Sequence, residues 1–199
     1  MKAERGIVII AIGAAPVASL RRLLGSLKDN CPTIPVFVHE GEGQEGPAAR
    51  QRARELKVTL LDWTPYTYTA YLDADTQVYQ NISAGFDMLS DGWDVVITPS
   101  QAQGHENLWH LTDTERQYTQ KQCGAQDVLV LQAGVWFVAK NNETIKLWKA
   151  WAKEWKRYKG PDQGALLRAL HKNPVKVWVL SKLWNGGAVI GHHFGMVHE

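Results

Sequence analysis

Two aspartates separated by one residue are the sharpest chemical feature of the sequence. Asp73 and Asp75 follow directly after the buried-looking pair Tyr71-Leu72. In an extended segment, side chains two positions apart point to the same side, so both carboxylates can bind one hard cation. Carboxylate oxygens suit Mg²⁺ or Mn²⁺ better than Zn²⁺. The same spacing is also typical of a turn in which one aspartate caps backbone amides.

A second chemistry fits the same residues. Asp73-Ala74-Asp75-Thr76 matches the D-x-D-x-T pattern of haloacid-dehalogenase-type phosphatases, in which the first aspartate is a nucleophile and the second a general acid. Those enzymes carry the motif on their first strand, whereas a strand-helix-strand-helix block precedes it here. Later strand ends offer no paired carboxylates, since Asp162 stands alone and Asp87 and Asp91 fall in a predicted helix and its exit. The sequence therefore favours metal binding.

Strand and helix patterns alternate along the chain, which predicts a parallel sheet covered on both faces. The predicted strands are 7–12, 35–39, 69–72, 94–97, 129–139 and 175–180, and the predicted helices are 16–27, 47–63, 82–89, 113–122, 142–158 and 162–170. Ligands of open α/β sheets bind beyond the carboxyl ends of the strands, where Asp73 and Asp75 fall. We expect one α/β domain over residues 1–199.

Composition excludes several classes of protein. The 199 residues are 45% hydrophobic and 21% charged with a net charge of +2, which is too apolar for a disordered chain and too weakly basic for a dedicated nucleic-acid binder. Cys31 and Cys123 are too few for a disulfide framework. The run 7–12 follows Lys2 and Arg5 like a short signal peptide, but its β-branched residues favour a buried strand. A cytoplasmic location is expected.

A series of short motifs runs in order from about Lys57 to the tail. They are Thr64-Pro65-Tyr66, Thr69 to Thr76, Asn81-Ile82 with Phe86, Gln132-Ala133-Gly134-Val135, Asp162-Gln163, Leu183-Trp184-Asn185 and His192-His193-Phe194-Gly195. The set resembles nucleotide-sugar-dependent glycosyltransferases of the GT-A fold, above all the glycogenin and lipopolysaccharide galactosyltransferase group. This resemblance implies a single Rossmann-like GT-A domain with a mainly parallel central sheet. It also implies retaining transfer of a sugar from a nucleotide diphosphate, expected to be a UDP-sugar, to a hydroxyl acceptor.

The resemblance implies a metal site as well. Asp73 and Asp75 would bind Mn²⁺ or Mg²⁺, and a histidine in an H-x-x-G segment near the C-terminus would complete the site. His192 has Gly195 at that offset, so it is preferred over His193. Imidazole is a common ligand of transition metals, which agrees with this assignment. A pair of surface or core histidines is the alternative.

Further residues are expected at the donor. Lys57, with Arg54 one turn earlier, matches a basic residue that the family carries on the helix before its acidic pair, although a solvated basic face has the same pattern. Asp162 and Gln163 match a catalytic pair beside the reacting sugar, and Asp162 would also suit a helix start. The remaining expected donor-binding residues are Ala11, Ile12, Gly13, Asp73, Ala74, Gln132, Ala133, Gly134, Gly195 and His198.

Some positions depart from the family pattern. Gln132 stands where asparagine is usual, and Met196-Val197-His198 replaces a lysine-containing ending. Gly134 would let the backbone approach a ligand closely or would simply pack in the sheet. Because the lysine-containing ending is missing, a non-catalytic nucleotide-sugar-binding module is a further alternative. The acceptor is an unknown glycan, lipid or protein hydroxyl, and no nucleic-acid partner is expected.

A tryptophan-rich stripe lies on the predicted helix 142–158. Its members are Trp148, Trp151, Trp155 and Tyr158, and Lys146, Lys149, Lys153 and Lys156 recur on other faces. Packing of the stripe on the sheet with a solvated basic side is the favoured interpretation. Peripheral contact with an anionic membrane surface is the alternative.

Overall fold

The computed structural model describes residues 4–41, 45–100, 108–124 and 129–193. Eight strands and seven α-helices alternate along this part of the chain. The strands are β1 (Arg5–Ile12), β2 (Val36–Gly41), β3 (Tyr68–Asp73), β4 (Thr76–Val78), β5 (Val95–Pro99), β6 (Leu131–Ala139), β7 (Val177–Val179) and β8 (Ile190–His192). The helices are α1 (Ala14–Asn30), α2 (Gly46–Val58), α3 (Leu60–Trp63), α4 (Ser83–Ser90), α5 (Asp113–Cys123), α6 (Asn142–Trp155) and α7 (Asp162–Lys172).

Six strands form a central sheet in the order β2-β1-β3-β6-β5-β7. Strand β1 runs parallel to β2 and to β3, and β5 runs parallel to β7. Only β6, among the strands of this sheet, runs against its two neighbours. The mainly parallel α/β sheet expected from the sequence is confirmed, and residues 7–12 form part of an inner strand.

The sheet is buried on both faces because alternate side chains of each strand enter different cores. On one face, Val8 and Ile10 pack with α2, α3, α6 and α7. On the other face, Ile7 and Ile9 pack with α1 and α4. Near-continuous burial of β1 explains its unbroken apolar sequence.

A small second sheet joins the chain after Asp75 to the tail. In it, β4 pairs antiparallel with β8, and Thr76 lies opposite His192. The backbone N–H of His193 extends this contact by donating to the carbonyl of Asp75 at 3.0 Å. The pairing carries a residue near the C-terminus to the end of β3.

Helix α6 packs its tryptophans into the core. Trp148, Trp151 and Trp155 are buried, and Trp136 of β6 makes edge contacts with the first two. The packed-helix interpretation is confirmed for these three residues, whose side chains lie in the core. Across the described ranges, no helix is long and apolar enough to cross a membrane.

A buried ionic cluster ties α7 to α5 and α6, and we call Arg168, Glu115, Glu154 and Lys172 the helix cluster. Arg168 is fully buried and lies 3.1 Å from Glu115 and 3.0 Å from Glu154. Lys172 reaches the second oxygen of Glu154 at 2.7 Å. These contacts fix α7, whose first two residues are Asp162 and Gln163.

Candidate functional site

A cleft of about 470 Å³ opens at the carboxyl ends of β1 and β3. Helices α1 and α2 form its walls, and the first residue of α7 closes one side. The charged lining residues are Arg50, Arg54, Lys57, Asp73, Asp75 and Asp162. The cleft therefore has an acidic edge at the end of β3 and a basic wall along α2. A ligand with both a bound cation and an anionic group would complement this arrangement.

Three side chains with metal-binding atoms converge at the acidic edge. One ligand atom from each of Asp73, Asp75 and His192 lies within 4.8 Å of the other two. The Nε2 atom of His192 is 3.2 Å from Oδ1 of Asp75 and 3.9 Å from Oδ2 of Asp73. Asp73 ends β3, Asp75 occupies the following turn, and His192 arrives through the β4–β8 pairing.

The ring of His192 is held at its other nitrogen. Its Nδ1 lies 2.6 Å from the side-chain oxygen of Asn185, whose amide nitrogen in turn donates to Oγ1 of Thr98 at 3.2 Å. Asn185 and Thr98 are both buried. These contacts direct Nε2 of His192 at the two aspartates.

Gly134 forms the floor beneath this group. A Cβ atom at residue 134 would lie 2.5 Å from Cε1 of His192 and 2.8 Å from Oδ2 of Asp73, so a larger residue would collide with both. The strand bulges here: Ile97 pairs with Trp136 while the next residue, Thr98, pairs with Gln132. The bulge carries the Ala133-Gly134-Val135 segment out of the β5–β6 ladder, and the absent side chain leaves room for the triad.

The donor set fits a divalent cation. Two carboxylates and one imidazole nitrogen within a few ångströms are ligands that Mn²⁺ accepts, whereas Mg²⁺ prefers oxygen alone. The Nε2 atom of His192 can face Asp75 favourably either through an N–H that donates to the carboxylate or through a metal ion bound between the two. The mixed nitrogen and oxygen ligand set therefore suits Mn²⁺ better than Mg²⁺.

Lys57 links the acidic edge to α7. Its buried ammonium lies 2.9 Å from Asp73 and 3.1 Å from Asp162, and it sits over the ring of Tyr71 at 4.9 Å. Burial alone would lower the pKa of Lys57, but the charges of Asp162 and Asp73 outweigh it and raise the pKa above its ordinary value. The lysine is charged at neutral pH and neutralises part of the acidic edge.

Asp162 stays ionised because positive side chains lie close to its carboxylate. Burial alone would raise the pKa of this carboxyl, but the charges of Lys57 and Arg54 lower it below its ordinary value. The neighbouring residue, Gln163, donates a hydrogen bond to the side-chain oxygen of Gln132. The structure thus brings the expected catalytic pair, Asp162 and Gln163, together with Gln132, which was expected to bind the donor.

The other expected donor-binding residues fall into three groups. Arg54 and Ala74 line the cleft. Ala11 and Ile12 are buried at the end of β1, Gly13 caps α1 at φ 92°, and Ala133 is buried beside Gly134. Gly195 and His198 lie outside the described residues.

Two further residues belong to the site. The hydroxyl of Tyr71 donates to Oδ1 of Asp73 at 2.7 Å, and burial, followed by the charge of Asp73, raises the pKa of Tyr71 well above its ordinary value. Asn185 orients His192, as described above. The alternation of β3 could have indicated Tyr71, which is two residues before Asp73. No spacing rule could have paired Asn185 with His192.

Comparisons with known proteins identify solved structures with a similar fold. No protein-family model matches the sequence, and no curated protein matches it. Mouse xyloside xylosyltransferase 1 in its apo form is similar in structure, with a TM-score of 0.59 at 12% identity over 92% of this chain and 87% of that one. The galactosyltransferase LgtC, solved with donor and acceptor sugar analogues, gives a TM-score of 0.56 at 16% identity over 89% and 73%.

The bifunctional glycosyltransferase WbbM, in an apo structure, gives a TM-score of 0.66 at 14% identity. The match covers 93% of this chain but only 40% of the WbbM chain. All three neighbours are glycosyltransferases by name, and the expected GT-A fold is confirmed. Identities this low establish the fold alone.

Proposed function

We propose that this protein is a metal-dependent glycosyltransferase. It transfers a sugar from a nucleotide diphosphate donor, expected to be a UDP-sugar, to a hydroxyl acceptor with retention of configuration. The observation that carries the proposal is the convergence of Asp73, Asp75 and His192 at the mouth of the cleft, within a GT-A fold.

The basic wall suits the anionic part of such a donor. Arg50 and Arg54 lie one helical turn apart on α2 and both face the cleft. A diphosphate placed between this wall and the acidic edge would meet guanidinium groups on one side. Lys57 is already engaged by Asp73 and Asp162, so we assign it to holding those carboxylates in place and adding positive potential.

Asp73, Asp75 and His192 would hold the metal ion. When bound there, the ion supplies Lewis-acid stabilisation of the departing diphosphate. The chain's own groups prepare this site: Tyr71 and Lys57 fix Asp73, and Asn185 fixes His192. Preorganised groups of this kind cost little reorganisation when charge develops.

Asp162 and Gln163 lie on the sugar side of the proposed site. Asp162 is ionised and opens α7, so its carboxylate can accept hydrogen bonds from sugar hydroxyls. Gln163 and Gln132 together present an amide pair at the same edge. Retention of configuration is proposed from the family resemblance, and the anomeric form of the product, observed by NMR, tests it.

The function is tested by incubating the protein with Mn²⁺, a panel of nucleotide sugars and a panel of hydroxyl acceptors. Released nucleotide, free sugar and inorganic phosphate are followed separately. We expect Mn²⁺-dependent release of nucleotide diphosphate from one donor. In Asp75→Asn, which removes one metal-binding charge, we expect a loss of at least about 100-fold, an estimate typical of removed electrostatic stabilisation.

The same assay separates the alternatives. Donor binding in calorimetry without turnover of any donor would indicate a nucleotide-sugar-binding module. Release of inorganic phosphate from phosphomonoesters, lost in Asp73→Asn, would indicate a phosphatase. Full activity of Asp75→Asn, or full activity in chelator, would contradict the proposed metal-dependent transferase.

A further inference from the structure

The hydrogen bonds behind His192 define which of its ring nitrogens faces the acidic edge. The side-chain oxygen of Asn185 is 2.6 Å from Nδ1 of His192, and an amide oxygen can only accept. The amide nitrogen of Asn185 faces Thr98 at 3.2 Å, which matches this orientation of the amide. The Nδ1 atom of His192 therefore carries a proton.

A protonated Nδ1 leaves the lone pair of a neutral ring on Nε2. That atom faces Oδ1 of Asp75 at 3.2 Å and Oδ2 of Asp73 at 3.9 Å. A lone pair directed at two carboxylates is unfavourable unless a cation lies between them or Nε2 is protonated as well. Without Asn185, the ring could turn its Nε2 proton toward Asp75 and form an ordinary hydrogen bond there.

The chain keeps Asn185 itself in place. It follows a 3₁₀ turn at Lys182–Trp184, and its backbone N–H donates to the carbonyl of Lys182 at 3.1 Å. A Cβ atom at Gly187 would lie 2.6 Å from Cα of Leu183, so the segment that returns to β8 is tightly packed. Asn185 is buried and anchored on both sides of its amide.

We propose that Asn185 is a positioning residue that holds His192 as the Nδ1–H tautomer and so presents Nε2 to a divalent cation. This inference rests on the metal site of the proposed function. Residues behind metal-binding histidines commonly fix the tautomer and ring orientation in this way, and their loss weakens metal binding about 10- to 100-fold.

The test uses the full chain with Asn185→Leu, which keeps the approximate shape but cannot accept a hydrogen bond. Asn185→Asp is the matched control because its carboxylate still accepts from Nδ1. Mn²⁺ affinity is measured without donor, from the free Mn²⁺ signal in electron paramagnetic resonance. The tautomer of His192 is read from ¹⁵N–¹H correlations in the chelator-treated protein.

We expect Asn185→Leu to weaken Mn²⁺ binding about 10- to 100-fold, while Asn185→Asp stays within about threefold of the unaltered protein. In the unaltered protein we expect a proton on Nδ1 of His192 whether or not Nε2 is protonated as well, and in Asn185→Leu we expect a neutral ring with its proton on Nε2. Should Asn185→Leu unfold, Thr98→Val removes only the anchor of the amide and should weaken Mn²⁺ binding about 10-fold, and an unchanged affinity in that variant would overturn the inference instead.

Unchanged Mn²⁺ affinity in Asn185→Leu, or an Nδ1 without a proton in the unaltered protein, would overturn the inference and leave the proposed transferase standing. Absence of Mn²⁺ binding by the unaltered protein, with or without nucleotide, would overturn the metal site as well. The two failures are therefore distinguishable in one set of titrations.

Discussion

Two ionic clusters lie toward opposite ends of α7, one buried between helices and one at the edge of the cleft, and they differ in how their charges are balanced. In the helix cluster, Glu115 and Glu154 face the permanent charges of Arg168 and Lys172. At the cleft, which we call the site cluster, Lys57 neutralises Asp73 and Asp162. Asp75 there faces His192, whose ring is positive only when both of its nitrogens are protonated.

This comparison explains what each cluster can do. In the helix cluster, the negative and positive side chains already balance, so a bound cation would not stabilise it further. Its contribution is to hold together the helices that it joins. A cluster completed by an imidazole changes its energy when a metal ion arrives. The helix cluster should therefore govern the free energy of unfolding, and the site cluster should govern Mn²⁺ affinity.

The largest expected effect is on the helix cluster. Arg168→Leu leaves Glu115 and Glu154 buried without their shared guanidinium, so we expect it to lower the free energy of unfolding by about 3–5 kcal/mol. Urea denaturation measures this loss. Arg157→Leu is the control, because that half-exposed side chain touches Glu154 only at 3.5 Å and should cost under about 1 kcal/mol. Equal losses in the two variants would show that the buried guanidinium of Arg168 is not what stabilises the helix cluster.

A smaller effect is expected for Gly134→Ala, which should weaken Mn²⁺ binding while leaving the free energy of unfolding nearly unchanged. The added methyl would displace the ring of His192, so Mn²⁺ affinity should fall at least about tenfold, consistent with disturbing a metal ligand. Calorimetry with Mn²⁺ measures the affinity, and thermal unfolding checks the fold. Gly25→Ala is the control, because a methyl there meets nothing within 4 Å. If Gly134→Ala binds Mn²⁺ normally, the close packing of the triad against β6 has no functional role.

The smallest expected effect is on the pH dependence of the free energy of unfolding under acidic conditions. Burial alone would raise the pKa of Glu154, but hydrogen bonds from Lys172 and Arg168 lower it below its ordinary value of 4.5. A carboxyl with a lower pKa in the folded state stabilises the fold above its unfolded pKa, and this contribution is lost as pH falls.

We therefore expect the stability of the unaltered protein in urea to fall more steeply than that of Glu154→Gln between about pH 5 and pH 3. Glu143→Gln should keep the steep slope, because Glu143 is an exposed partner of Lys146. A slope that is the same in Glu154→Gln and in the unaltered protein would show that Glu154 does not hold its charge through the helix cluster.

Local patterns in the sequence were enough to predict the main elements of the fold. Apolar runs and helical spacing gave the six strands of the central sheet and most helix bounds to within a few residues. The predicted helix 47–63 is two helices that meet at Thr59, whose backbone is not helical. Strands β4 and β8 were missed, since each has three residues and forms only through pairing with the other.

Only part of the candidate site could likewise be predicted from the sequence. The spacing of Asp73 and Asp75 was visible in the sequence because both follow one strand, and the family resemblance supplied His192. The roles of Gly134 and Asn185 depend on a bulge in β6 and on a turn before β8. Such contacts join residues from distant parts of the chain, so no local pattern contains them.

The central claim is that a divalent cation binds between the acidic pair and the histidine of β8. The most direct measurement is anomalous diffraction from crystals soaked in Mn²⁺ with a nucleotide diphosphate. The account predicts one strong peak within bonding distance of Asp73, Asp75 and Nε2 of His192. A peak elsewhere in the cleft with His192 uninvolved, or no peak under conditions that support donor turnover, would contradict it.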